Sequence, residues 1–233
     1  MSTPSTPKAV LFDFSGTLFR FQHRDEWFAD LHDEAGQPLH LDAQAEIMRR
    51  MTRPVGLSVD LSPEDVNAWR KRDLDPTLHR QAYLAILRAS GLRVPGHAEA
   101  LYDRLSDSDS WVQFSDTVEA IRGVKAAGLP VGVVSNIPFD LRPIFNRHRI
   151  GDLIDAYALS YEVGVIKPDP AIFHAALDPM GVGPSDALMI GDSEEADGGA
   201  RDLGAAFELV SDISPEQRPT ALLDALRAHG IQI

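Results

Sequence analysis

The sequence predicts an α/β protein: a parallel sheet with helices on both faces, interrupted after its first strand by an all-helical insertion. Three observations carry that expectation. Short apolar runs recur at Ala9-Val10-Leu11-Phe12, Val131-Gly132-Val133-Val134 and Ala187-Leu188-Met189-Ile190, each too short for a helix and each followed by polar residues. After Trp111 such runs alternate with amphipathic helical stripes, the grammar of right-handed crossovers between parallel strands. Between Gln22 and Trp111 only helical spacing appears.

The first strand is Ala9–Phe12, broken by Phe14-Ser15-Gly16-Thr17. In the insertion, Trp27, Phe28, Leu31 and Ala35 fall at helical spacing, as do Ile47, Met48 and Met51, then Leu78, Ala82, Ala85, Ile86 and Ala89, then Ala98, Leu101, Tyr102 and Leu105. Gly36-Gln37-Pro38, Ser62-Pro63, Asp75-Pro76 and Pro95-Gly96 punctuate these stripes. Trp27, Phe28, Trp69, Tyr83 and Tyr102 are expected in the core of this helical part. Beyond Trp111, Ser115 is expected to cap a helix running to about Ala127, with Glu119 in its first turn. Strands are expected at 131–134, 156–159, 187–190 and 206–210, and helices near 141–147, 172–180, 194–203 and 220–228. The whole reads as a Rossmann-like core of residues 1–21 and 111–233, with residues 22–110 as a helical cap domain. Both ends of the insertion enter near the C-terminal end of the first strand, where ligands of open parallel sheets bind, so the insertion is expected to cover the binding site.

Composition narrows the function. The chain has 233 residues, 35 acidic and 22 basic side chains and no cysteine. With 44% hydrophobic and 24% charged residues it is ordinary globular material. Without cysteine there is no zinc ribbon, iron–sulfur centre, thiol nucleophile or disulfide. A net charge of −13 argues against a nucleic-acid surface. No apolar run approaches the ~18 residues of a membrane span. Met1–Pro7, rich in Ser, Thr and Pro, reads as a short disordered tail, and the protein is expected to be cytoplasmic, as a monomer or homodimer.

Polar residues follow the strands that should end at one edge. The first gives Asp13 and Ser15, the second Ser135 and Asn136, and the strand at 187–190 gives Asp192, with Glu194, Glu195 and Asp197 behind it; Val165-Ile166 brings in Lys167. Carboxylates and backbone carbonyls are what Mg²⁺ prefers, and a cation offsets the repulsion between an anionic nucleophile and an anionic substrate. Glu194 and Glu195 are explained by the start of a helix, where acids favour the dipole, and are left outside the site. No histidine has ligand spacing, and His148 is expected at a solvated helix end.

Phe12-Asp13-Phe14-Ser15-Gly16-Thr17-Leu18, Val134-Ser135-Asn136, Ile166-Lys167-Pro168 and Gly191-Asp192-Ser193 through Asp197 resemble, in order and spacing, the four motifs of the haloacid dehalogenase-like hydrolase superfamily. The helical insertion resembles the cap of its phosphoglycolate-phosphatase and beta-phosphoglucomutase branch. The resemblance implies a Mg²⁺-dependent hydrolase of a small phosphorylated metabolite. Asp13 matches the nucleophile that forms an aspartyl-phosphate. Ser135, Asn136 and Lys167 match the phosphate-binding positions, with Lys167 also bridging to the nucleophile. Asp13, the Ser15 carbonyl and Asp192 match the metal ligands, with Asp197 in support.

One position departs from the pattern. Where the phosphatases carry a second aspartate as general acid and base, this chain has Ser15, and losing such a group typically costs about 10²–10⁴-fold in rate. Two alternatives follow: a non-catalytic phosphometabolite-binding protein, or a hydrolase of carbon–halogen or carbon–phosphorus bonds. The phosphonoacetaldehyde branch needs a cap lysine, for which Lys71 is available, whereas Asp192 and Asp197 favour the metal-using side. Arg20 and His23, at the first hinge, are candidates to replace the missing acid.

Overall fold

Every residue of the first strand, β1 (Ala9–Phe12), is buried, as expected of a strand covered on both faces. The computed structural model describes residues 6–22, 24–52, 60–211, 213 and 215–233. After β1 the chain forms β2 (Phe19–Phe21), a 3₁₀ turn over Asp25–Phe28, and helices α1 (Leu41–Thr52), α2 (Pro63–Lys71), α3 (Pro76–Ala89) and α4 (His97–Ser106). Next come β3 (Trp111–Gln113), α5 (Thr117–Ala126), β4 (Val131–Ser135), α6 (Arg142–Arg147), β5 (Ala156–Leu159), α7 (Ser160–Val163) and α8 (Pro170–Met180). The chain then runs through β6 (Ala187–Gly191), a 3₁₀ segment over Asp197–Leu203, β7 (Ala206–Leu209) and α9 (Ala221–Ala228). Contacts divide it into two units, Met1–Arg20 with Trp111–Ile233, and Phe21–Ser110.

The first unit holds a five-stranded parallel sheet in the order β5-β4-β1-β6-β7. Because strand side chains alternate, Ala9 and Leu11 face one side with Val134, Ala158, Met189 and Phe207. There they pack on Ile172, Phe173, Ala176 and Leu177 of α8 and on Ala200. Val10 and Phe12 point to the opposite face and are completely buried, as are Ile121 and Val124 of α5 and Leu222 and Leu226 of α9. β1 is central: the chain first builds toward β5, then returns to its other side as β6 and β7. The crevice at the C-terminal end of β1, where the order reverses, is the standard ligand position of such sheets.

Several helix starts follow local chemistry. Asp75 accepts hydrogen bonds from the amides of Thr77 and Leu78, with Pro76 opening α3. Asp169 does the same for Ala171 ahead of α8. The second unit is built from α1–α4 around Phe28, Leu31, Ile47, Met51, Trp69, Leu87 and Leu101. Tyr83 and Tyr102 lie in that core, with Trp27 packed partly against it.

The structure corrects the sequence reading at several points. The stripe at 27–35 is no helix beyond its 3₁₀ turn: Asp33 Oδ1 accepts the amides of Ala35 and Gln37, and Gly36 takes a left-handed φ of 76°. Ser62-Pro63 is not a break alone but the start of α2, with Ser62 Oγ accepting the Asp65 amide. β2 and β3 went unforeseen, since three residues each leave no periodicity to read; they form a separate two-stranded sheet. Ser115 does not cap α5. Its hydroxyl donates to the Pro219 carbonyl, and Asp116 occupies the capping position while its Oδ2 accepts the amide of Leu222 in α9. The expected helix at 194–203 is 3₁₀ over Asp197–Leu203. His148 is half-buried, its ring edge-on to Phe19 at 5.0 Å, rather than solvated. Pro7 is buried and so outside any free tail, while residues 1–5 lie outside the described residues. Among the described residues, no helix is long and apolar enough to cross a membrane.

Candidate active site

Asp13 follows the last residue of β1, and its amide donates to the Ile190 carbonyl of neighbouring β6 at 2.9 Å. The residue is only 5% exposed. Lys167, 4% exposed, comes from the loop between α7 and α8. The Lys167 ammonium donates to Asp13 Oδ1 at 2.6 Å, Asp197 Oδ1 at 2.7 Å and the Val134 carbonyl at 2.9 Å, which uses all three of its protons. Burial of this kind is tolerable only because the charges are paired and hydrogen-bonded.

Each partner is itself held. Lys167 is fixed by Asn136, whose Oδ1 accepts the Lys167 amide at 2.7 Å and whose Nδ2 donates to the Lys167 carbonyl at 3.3 Å. Asn136, expected among the phosphate ligands, thus clamps the backbone of the loop that delivers the lysine. Asp197, fully buried, opens the 3₁₀ segment after β6, and its Oδ2 accepts the Ser193 amide at 2.9 Å. Gly191 makes room for it: a side chain there would fall 2.2 Å from Asp197 Cγ. Asp13 Oδ2 accepts the hydroxyl of buried Thr17 at 3.1 Å.

Asp192, half-buried, completes an acidic group. Asp13, Asp192 and Asp197 each offer a carboxylate oxygen, and these atoms lie within 4.8 Å of one another. Three hard, anionic oxygen donors converging at neighbouring strand ends fit a divalent cation such as Mg²⁺. Burial raises the Asp13 carboxyl above its ordinary range, against the pull of Lys167 and with a push from Asp197. Burial lowers Lys167, but the attraction of Asp13 and Asp197 wins and holds it firmly protonated.

Ser135, at the end of β4, is buried at the same edge. Ser15 is exposed, and the turn runs on through Gly16. Glu194 pairs with Arg201 on the surface, consistent with its exclusion from the site. Arg20 is half-buried and its Nε finds no hydrogen-bond partner among the described residues; His23 lies outside them. Lys71 is exposed. Sequence reasoning missed Thr17 as the donor to Asp13, although it sits inside the first motif.

Residues 7–204 match the family profile of haloacid dehalogenase-like hydrolases. The chain belongs to this family. Among its curated relatives, haloacid dehalogenase-like hydrolase domain-containing protein 3 of Bos taurus is 35% identical over 130 residues, 55% of this chain and 51% of that protein. The chain thus spans about half the length of that relative. A phosphoglycolate phosphatase of Rhodospirillum rubrum is 28% identical over 94% of this chain and 86% of its own. Among solved structures, a magnesium complex of a family enzyme from Bacteroides thetaiotaomicron shares the fold at TM-score 0.57 and 16% identity, over 90% of this chain and 96% of its own. The segments that resemble the family's four motifs lie at the ends of β1, β4 and β6 and in the loop before α8.

Proposed function

We propose that this hydrolase releases phosphate from a small phosphorylated metabolite in a Mg²⁺-dependent reaction, through a phosphoryl group carried transiently on Asp13. The observation that carries the reading is the buried cluster in which Lys167 meets Asp13 and Asp197, with Asp192 alongside. Asp13 and Asp192, with the Ser15 carbonyl, would hold the cation and Asp197 would support it; when bound, it supplies positive charge that offsets repulsion between carboxylate and phosphate. The similarity to a phosphoglycolate phosphatase over most of both chains supports a phosphate ester as substrate.

In this reading an Asp13 oxygen attacks phosphorus and the bond to the leaving oxygen breaks. The Ser135 hydroxyl holds a transferring oxygen, and the positive charge of Lys167, fixed beside Asp13, stabilises the charge that develops on the phosphoryl group. Water then cleaves the aspartyl-phosphate, returning Asp13 and releasing inorganic phosphate. With serine at position 15 no carboxylate there protonates the leaving group or activates the water, so weakly basic leaving groups are favoured. The unit of residues 21–110 serves as the cap that governs substrate choice.

The test is a screen of phosphorylated metabolites and 2-haloacids with and without Mg²⁺. Metal-dependent phosphate release supports the reading. Halide release without metal, or phosphate binding without turnover, defeats it in favour of a dehalogenase or a non-catalytic binding protein. Position 15 is what gives both of those readings standing.

A further inference from the structure

The turn after Asp13 is held from outside at three successive carbonyls. Leu18 O accepts the Thr117 hydroxyl at 2.7 Å and the Phe114 amide at 3.1 Å. The other two belong to Arg218, about two hundred residues away in sequence. Its Nη1 donates to the Gly16 carbonyl at 2.7 Å and its Nη2 to the Thr17 carbonyl at 2.7 Å. The same Nη1 reaches the Ser211 carbonyl, just past β7, at 2.9 Å. The guanidinium carbon lies 3.7 Å from the centre of the Phe114 ring, and the residue is 4% exposed.

This is a demanding place for a cation. The turn it grips is already specific: Gly16 has a φ of 86°, a left-handed conformation that favours glycine, and its amide donates to Phe19 O at 2.8 Å. Two adjacent carbonyls presented side by side match the planar fork of a guanidinium, and the aromatic face beneath suits its flat, weakly hydrated surface. An ammonium offers neither match.

We propose that Arg218 is a positioning residue for the reacting carboxylate. It acts through Thr17: the guanidinium fixes the Thr17 backbone, and the Thr17 hydroxyl in turn donates to Asp13 Oδ2 at 3.1 Å. Arg218 thereby sets which way the carboxylate faces without touching it or the substrate. The assignment rests on Asp13 being the reacting group. Misplacing such a group by about 1 Å can cost on the order of 10²-fold in rate.

The experiment compares the parent with Arg218→Ala and Arg218→Lys. Turnover of p-nitrophenyl phosphate with Mg²⁺ is measured alongside the folded fraction and hydrogen exchange of peptides covering residues 13–19. In both variants kcat per folded molecule is expected to fall about 10–10²-fold with KM nearly unchanged. Guanidinium at sub-denaturing concentration should restore part of the loss in Arg218→Ala only. Exchange should quicken across 13–19 while peptides of β4 and α8 keep the parent's protection. Undiminished kcat per folded molecule, or a loss that neither separates from unfolding nor responds to guanidinium, overturns the assignment. If the parent hydrolyses no phosphate ester, the functional reading has failed, and the exchange measurement decides for Arg218: unchanged protection at 13–19 sinks its positioning role. Should Arg218→Ala not fold, Arg218→Lys carries the comparison.

Discussion

Gly199 packs so tightly on Pro168 that a methyl group on its Cα would fall 2.4 Å from Pro168 Cβ and 3.1 Å from Pro168 Cα. Pro168 directly follows Lys167, so this contact sets how closely the lysine loop approaches the segment that carries Asp197. Part of the clash is with backbone, which cannot swing aside. Gly199→Ala should therefore shift the lysine loop, lowering stability by about 1–3 kcal/mol as overpacking does. Turnover should fall by more than the unfolded fraction explains. Chemical denaturation with parallel rate measurements checks this, and parent-like values in both would refute it.

The acidic group should discriminate among carboxylates. Asp192→Asn should weaken Mg²⁺ binding by at least about 10–100-fold, the cost usually seen for removing even an outer-shell partner. Glu194→Gln should leave affinity close to the parent's, since Glu194 is paired with Arg201. Calorimetric titration with Mg²⁺ alone reads the difference. Equal affinities for Asp192→Asn and the parent would remove Asp192 from the metal site.

Position 15 should control the leaving group. The parent should hydrolyse aryl and acyl phosphates far faster than alkyl phosphates, whose alkoxides are strongly basic. Ser15→Asp should raise alkyl phosphate turnover by up to roughly 10²–10⁴-fold. Exposure of Ser15 leaves room for the longer side chain. A leaving-group series on both proteins, with mass spectrometry for phosphorylated Asp13, makes the comparison. Equal parent rates on alkyl and aryl esters would mean that another residue supplies the proton, with Arg20 and His23 the first to replace.

His79 should couple pH to the stability of the helical unit. It is buried, stacked on Tyr83 at 4.2 Å, and its Nδ1 lies 2.9 Å from the Tyr102 hydroxyl. Burial, aided by Arg72, pushes its pKa down to about 3 from the usual 6.5. Folded His79 therefore stays neutral where the unfolded chain takes up a proton. Stability should fall as pH drops from about 6.5 toward about 3 and be untouched by this group above that window. His79→Gln should be less stable at pH 7 yet show a shallower decline in acid. Denaturation midpoints at three pH values test it, and identical slopes would show that His79 does not titrate as described.

How much of the molecule the sequence reveals depends on the range of the interaction. The sheet was legible because Ala9–Phe12, Val131–Val134 and Ala187–Ile190 are fully apolar runs, and a strand buried on both faces needs nothing else. Asp13, Ser135, Lys167, Asp192 and Asp197 were legible because each directly follows or closes such a run, or sits in a short motif beside one. The stretch from Trp27 to Ala35 misled because apolar spacing says nothing of Asp33 taking two backbone amides for itself. Asn136 was legible as a site residue but not in what it does, since its partner lies 31 positions away.

Legible along the chain alone were the strands of the five-stranded sheet, the place where the chain leaves it, and the chemical groups that follow those strands. These follow from period and apolarity, which are properties of neighbours along the chain. The sharing of Lys167 between Asp13 and Asp197, the bare Gly199 that lets Pro168 in, and the closing of Arg218 on the turn at Gly16 and Thr17 emerge only when the chain is folded. Those are contacts between segments up to two hundred residues apart, and a guanidinium seeking two carbonyls leaves no periodic trace in the chain that carries it.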